Sequence, residues 1–300
     1  MLSNLKEFFK LVRWFHELLA ILPFVALYLI INYFIQQNAL SCNLSSINFI
    51  IVCFGVQLLL ATGCILNDIM DRDIDAINKP NTHIVGRTIS LKSAKLLFIV
   101  MTALVIISSI YISLYIFKEW AFISISVYAL SILYDVYFKR APLIGNILMA
   151  TLAAFIPLVI LFFAKDCITM LNNERIEVLI YLYALFPFLI IIPRELSLDI
   201  SDMEGDKADG CITLPIVIGV KKSKQVVVAF LLLVIILSFF LMYSYSYFTI
   251  TFIVVDIMLI YYIYKLQKTE KRLDYIKIGR FLWFIMITGL ISSSVATIYL

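Results

Sequence analysis

The sequence predicts an all-α membrane protein of nine transmembrane helices, a single domain over residues 1–300, with its N-terminus in the cytoplasm. Three observations carry that prediction. Hydrophobic residues make up 63% of the chain and charged residues 15%, against roughly 45–50% and 25% in soluble proteins. The mean hydropathy is +1.02, which suits a chain whose solvent is mostly lipid. The cations are also strongly one-sided along the predicted spans.

The apolar runs come in order at approximately 14–35, 47–66, 93–117, 119–138, 142–164, 176–196, 225–244, 247–264 and 278–299. Each has about the 20 residues that a hydrocarbon core requires. Backbone in lipid must satisfy its own hydrogen bonds, so these runs are helices. The alternation of a membrane barrel is absent. Lys6, Lys10 and Arg13 precede the first run, which is too long for a signal-peptide core and lacks a small-residue cleavage site behind it. Of the 24 Lys and Arg, 21 fall at the N-terminus or in the loops after even-numbered spans. Only Lys118, Lys165 and Arg175 fall on the other side. The positive-inside rule then orients the chain, with the C-terminus outside. Trp14, Trp120 and Trp283 lie near span ends, where an amphipathic ring favours the interface.

Several classes drop out. The net charge of +4 argues for no polyanionic partner, nucleic acid included. The five cysteines, Cys42, Cys53, Cys64, Cys167 and Cys211, include no C-x-x-C pair, so they read as unpaired small hydrophobes rather than a disulfide framework or zinc site.

The acids are the informative minority. Ten of the 20 fall in two segments at the cytoplasmic ends of spans 2 and 6. The pattern D-x-x-D-x-x-x-D occurs in both, as Asp68, Asp71, Asp75 and as Asp199, Asp202, Asp206. At about 100° per residue, offsets of 3 and 7 lie roughly 60° and 20° from the start, so each trio forms one helix face. Glu195 joins the second face, whereas Asp73 and Glu204 turn away to solvent. Gly205 and Gly210 suggest that the second helix breaks near its end. Three carboxylates on one face repel one another. Divalent cations relieve that repulsion, and an all-oxygen donor set selects a hard ion, Mg²⁺. Two such faces suit metal ions with a diphosphate between them. Lys79 and Arg87 follow the first trio, Lys139 and Arg140 close span 4 and Arg194 precedes the second trio, so all five fall on the same membrane face as the acids and suit phosphate oxygens.

These residues resemble a known family. Asn67-Asp68-x-x-Asp71-x-x-x-Asp75 with Asn78-Lys79-Pro80 (residues 67–80) is similar to the first motif of the UbiA intramembrane prenyltransferases. Arg194-Glu195-x-x-x-Asp199-x-x-Asp202-x-x-Gly205-Asp206 with Thr213-Leu214-Pro215 (residues 194–215) resembles the second. Tyr134 to Asn146 resembles the stretch joining spans 4 and 5. The resemblance implies Mg-dependent transfer of an isoprenyl group from a prenyl diphosphate to a lipophilic acceptor. It implies Asp68, Asp71, Asp199 and Asp202 as catalytic, with Asp75 and Asp206 joining them as metal ligands. It implies Asn67, Lys139, Arg140, Arg194 and Arg87 at the diphosphate. A bundle dry inside would shield an allylic cation from water. One departure stands out: Thr82 occupies the place of a usual Arg, and Arg87 in Val85-Gly86-Arg87-Thr88 is the substitute charge. The stretch His83 to Ser90 is most similar to members that alkylate a prenylglyceryl phosphate ether lipid, with aromatic quinone precursors the alternative acceptor. The site then faces the cytoplasm from the cell membrane.

Other polar residues need less. Asp256 in mid-span reads as a neutral acid bonded to a Tyr or a carbonyl, His16 and Glu17 as interfacial residues, and Asp135 as a group that orients Lys139 and Arg140. A transporter would place its acids near the bilayer midplane on broken helices, and these acids cluster at span ends. The D-G-x-x-A-R block of a CDP-alcohol phosphotransferase is absent.

Overall fold

The computed structural model describes residues 2–42 and 44–299, and residues 2–5 by their backbone alone. Fourteen α-helices follow in order: α1 (Leu2–Leu11), α2 (Trp14–Gln37), α3 (Ser46–Met70), α4 (Arg72–Asn78), α5 (Leu91–Tyr115), α6 (Trp120–Val136), α7 (Ile144–Leu158), α8 (Ile160–Phe163), α9 (Lys165–Leu171), α10 (Glu174–Ala208), α11 (Leu214–Ile218), α12 (Val220–Ser244), α13 (Thr249–Lys268) and α14 (Arg272–Tyr299). No strand occurs among the described residues, only a single bridge between Val85 and Ile89.

Eight helical stretches are long and apolar enough to cross a membrane: α2, α3, α5, α7 with α8, α10, α12, α13 with the turn before it, and α14. The fourth run, predicted at 119–138, forms α6, a shorter apolar helix of 17 residues. The fifth is interrupted at Val159, two residues after Pro157, whose missing N–H weakens the helical ladder there. The side chains that face outward are apolar too: Ile47, Leu114, Phe122 and Phe240 are all exposed. Such a surface is stable only against lipid.

Starts are set by local chemistry. The hydroxyls of Ser45 and Ser90 accept from the backbone N–H groups of Asn48 (3.3 Å) and Ser93 (3.1 Å), which caps α3 and α5. Arg13 takes a left-handed conformation (φ 51°), and this turns the chain from α1 into α2.

The core has two parts. One joins α2, α3, α5 and α6, with Phe24, Ile65 and Trp120 fully buried. The other joins α10, α12, α13 and α14, with Leu196, Leu231, Tyr262 and Leu282 fully buried. Helix α10 packs against α7, α14 and α12, so it stands between the two parts.

Four sequence expectations need correction. Cys42 and Cys167 are disulfide-bonded, with their Cα atoms 5.5 Å apart. The bond spans 125 residues and joins two segments between long helices, so local cysteine spacing carried no sign of it. Trp120 is 1% exposed, packed against Gly55, and Trp283 faces an interior cavity, which leaves Trp14 as the exposed indole. Helix α10 does not break at Gly205; it runs to Ala208, and Gly210 (φ 75°) follows its end. The carboxylate of Asp256 on α13 accepts from Ser238 Oγ on α12 at 2.6 Å, not from a Tyr or a carbonyl.

Candidate active site

The first acidic motif occupies the end of α3 and all of α4. The helices part at Asp71, but the hydrogen bonds from Asp71 N to Asn67 O (2.8 Å) and from Asp75 N to Asp71 O (2.7 Å) carry the helical ladder through. The second motif occupies the end of α10 and runs on to the start of α11. A cavity of about 530 Å³ lies between them, and Asn67, Asp71, Asp75, Asp199, Asp202 and Asp206 all line it. Asp73 and Glu204 are exposed, as their angular offset predicts. The deeper walls are apolar, with Leu59, Trp120, Ile123, Val127 and Phe155 among them.

Cations hold the acids apart. Lys139 pairs with Asp71 and stands 4.0 Å from Asp135. Lys79 Nζ bonds Asp75 at 2.9 Å. Burial works against the Lys79 charge, but Asp75 and Asp202 outweigh it and raise its pKa, so Lys79 is a cation at neutral pH. Asp68 is buried and does not line the cavity; Arg13 Nη2 reaches it at 2.7 Å and Asn67 Oδ1 at 2.8 Å. The same balance applies at Arg13, where burial opposes the charge and Asp68 more than restores it. Asn67 in turn donates to Asp135 Oδ1 at 2.9 Å. On the second motif, Asn146 Nδ2 donates to Asp199 at 2.9 Å, and Arg272 Nη2 stands 3.4 Å from Asp202.

The two motifs are also tied directly. Asn78 Nδ2 donates to the carbonyl of Asp202, and Gly205 N donates to Asn78 Oδ1, each at 3.0 Å.

The other cations named from sequence lie differently. Arg194 lines the cavity, paired with Glu195 and lying over the Trp283 ring at 5.1 Å. Arg140 pairs with Asp209 at 2.8 Å, and its carbonyl accepts from Ile212 N. Arg87 is exposed and donates from Nε to the carbonyl of His83 at 2.9 Å. Neither is among the residues that line the cavity. Sequence reasoning passed over the roles of Arg13, Arg272 and Asn146. Arg13 counted only as an inside charge, although its place between two helical runs marks it as a turn. His16 and Glu17, read as interfacial, both line the cavity.

Among the described residues, no three of His, Cys, Asp and Glu converge closely enough to hold a metal unaided. The acids still fit Mg²⁺, which typically takes one or two carboxylates and completes its shell with waters and substrate phosphates.

An all-helical bundle, with two acidic motifs and their cations above an apolar chamber, defines the class: a membrane protein whose site receives an anionic head and a hydrocarbon tail. The UbiA prenyltransferase family matches residues 21–285. The chain belongs to that family and is a prenyltransferase. It is 30% identical over 251 residues to a digeranylgeranylglyceryl phosphate synthase of Methanosphaera stadtmanae, covering 82% of this chain and 87% of that one. A solved structure concerned with digeranylgeranylglyceryl phosphate synthase is similar over 99% of this chain and 100% of its own, with a TM-score of 0.65 and 28% identity. A UbiA homolog from Archaeoglobus fulgidus, solved with GPP and Mg²⁺, shares the fold over 96% of this chain and 99% of its own (TM-score 0.60, 18% identity).

Proposed function

We propose that this prenyltransferase takes a prenyl diphosphate as donor and a prenylglyceryl phosphate as acceptor, with Mg²⁺ as cofactor. It spans the cell membrane nine times, α6 included, with the N-terminus and the site on the cytoplasmic side. The 21-to-3 division of its cations supports that orientation.

One observation carries the reading. Two acidic motifs meet across one cavity with Arg13, Lys79 and Lys139, and its deeper wall, with Leu59, Ile123, Val127 and Phe155, is apolar. Asp71, Asp75, Asp199, Asp202 and Asp206 would hold the metal. Bound there, it would draw negative charge from the departing diphosphate. Lys79 and Lys139 meet the diphosphate oxygens as charge develops on them. Asn146 orients the Asp199 carboxylate, Asn67 links Arg13 to Asp135, and Asn78 holds the two motifs together. The walls formed by Trp120, Ile123 and Val127 keep water from the allylic carbon. The acceptor follows the digeranylgeranylglyceryl phosphate synthases among the relatives.

The test is direct. Purified protein, Mg²⁺ and a labelled prenyl diphosphate should convert a monoprenyl glycerol phosphate ether to the diether, read by mass spectrometry. No diether under those conditions would end the acceptor reading.

A further inference from the structure

Three residues that line the cavity each carry a buried polar atom that no protein group satisfies: Arg194 (Nε), Trp283 (Nε1) and Glu17 (Oε1). Leaving one such atom unpaired costs about 1–3 kcal/mol, so three on one cavity point to a ligand. Two are N–H donors and one is a carboxylate oxygen. A phosphate beside a free hydroxyl offers the matching set.

The charges around Trp283 agree. The Arg194 guanidinium lies 5.1 Å from the indole, and the His16 ring meets it edge-on at 5.8 Å. Arg280, three residues before Trp283 on α14, lines the same cavity. No carboxylate lies within ion-pair distance of Arg280 among the described residues. By contrast, Arg13, Lys139, Lys79 and Arg272 are each engaged by an acid of the two motifs. Arg194 spends Nη1 on Glu195 and keeps its other N–H groups to donate. A guanidinium pair with an indole N–H is a donor set suited to phosphate oxygens.

Trp283 also borders a second cavity of about 110 Å³, with Pro23, Phe252 and Met286 among its mainly apolar lining. The two cavities share Ala20, Ala153, Ile156, Ile191 and Trp283.

We propose that Arg280, Arg194, His16 and the Trp283 indole N–H seat the phosphate of the acceptor lipid, separately from the donor diphosphate, with the first part of the acceptor's prenyl chain in the second cavity. This rests on the prenylglyceryl phosphate reading above.

The experiment uses the full chain in detergent with Mg²⁺ and a prenyl diphosphate. The acceptors are a monoprenyl glycerol phosphate ether and the same ether without its phosphate. In Arg280→Gln, KM for the phosphorylated acceptor should rise at least tenfold while the donor KM stays within twofold. Preference for the phosphorylated acceptor should fall by a similar factor, and Arg280→Lys should restore most of it. Equal rises in both KM values, or an unchanged acceptor KM, would overturn the proposal. Should Arg280→Gln fail to fold, Trp283→Phe carries the same comparison. If the wild-type protein does not prenylate the phosphorylated ether, the acceptor reading fails on its own, and the seat is judged by binding. Saturable quenching of tryptophan emission by that ether, lost in Trp283→Phe and at least tenfold weaker in Arg280→Gln, then supports the seat. No saturable, Trp283-dependent signal refutes it.

Discussion

Asn78 and Gly205, from the two ends of the site, interlock: the Asn78 amide lies where a Cβ on residue 205 would stand, and its Oδ1 accepts from the Gly205 N–H at 3.0 Å. The glycine is required by close approach, not by an unusual φ. Gly205→Ala should therefore push the motifs apart, destabilise the protein by about 2 kcal/mol and lower turnover at least tenfold. Thermal unfolding in detergent and initial rates together check this.

Among the described residues, Lys139 is the one cation that faces both Asp71, at the junction of α3 and α4, and Asp135 on α6. Lys139→Met leaves two carboxylates facing each other without a counter-charge. The donor KM should rise more than tenfold. Asp73→Ala is the matched control: Asp73 is exposed and paired with its neighbour Arg72, so its rate should stay within twofold of wild type.

Asp71→Ala and Asp199→Ala should each abolish turnover while the protein keeps its elution volume and helical circular dichroism. Chelation with EDTA should stop the wild-type reaction, and added Mg²⁺ should restore it. Turnover in either variant near the wild-type rate would remove that residue from the metal set.

The disulfide gives a sidedness test. Cys42, between α2 and α3, and Cys167, on α9, lie on the membrane side that carries few cations, the side assigned to the outside. Non-reducing digestion should yield a linked peptide pair. After reduction, a membrane-impermeant thiol reagent should label Cys42, which is partly exposed, from the exterior of intact cells, while Cys211 stays protected. Cys42→Ser should lower stability by about 2–4 kcal/mol.

Long apolar runs were legible because burial in lipid leaves a mark on every residue of a span. The run at 93–117 is α5 to within two residues at each end, and 278–299 lies inside α14. Angular arithmetic within one helix was equally readable, as the outward-facing Asp73 and Glu204 show. Contacts made between helices left no local trace. Arg13 meets Asp68 across 55 residues, Asn78 meets Asp202 across 124, and Cys42 meets Cys167 across 125. Nothing in the residues flanking either partner signals the pairing. Gly205 misled for a related reason: a glycine read locally signals a break, whereas here its missing side chain admits a neighbour.

Helix α10 has one further consequence. Its 35 residues make a rod about 52 Å long, well beyond the roughly 30 Å of a hydrocarbon core. In the proposed orientation its last turns, with the second motif, stand at the depth of the lipid headgroups. A donor dissolved in water and an acceptor confined to the leaflet can both reach that level without leaving their own phase. Chemistry at the boundary spares either substrate the cost of crossing it.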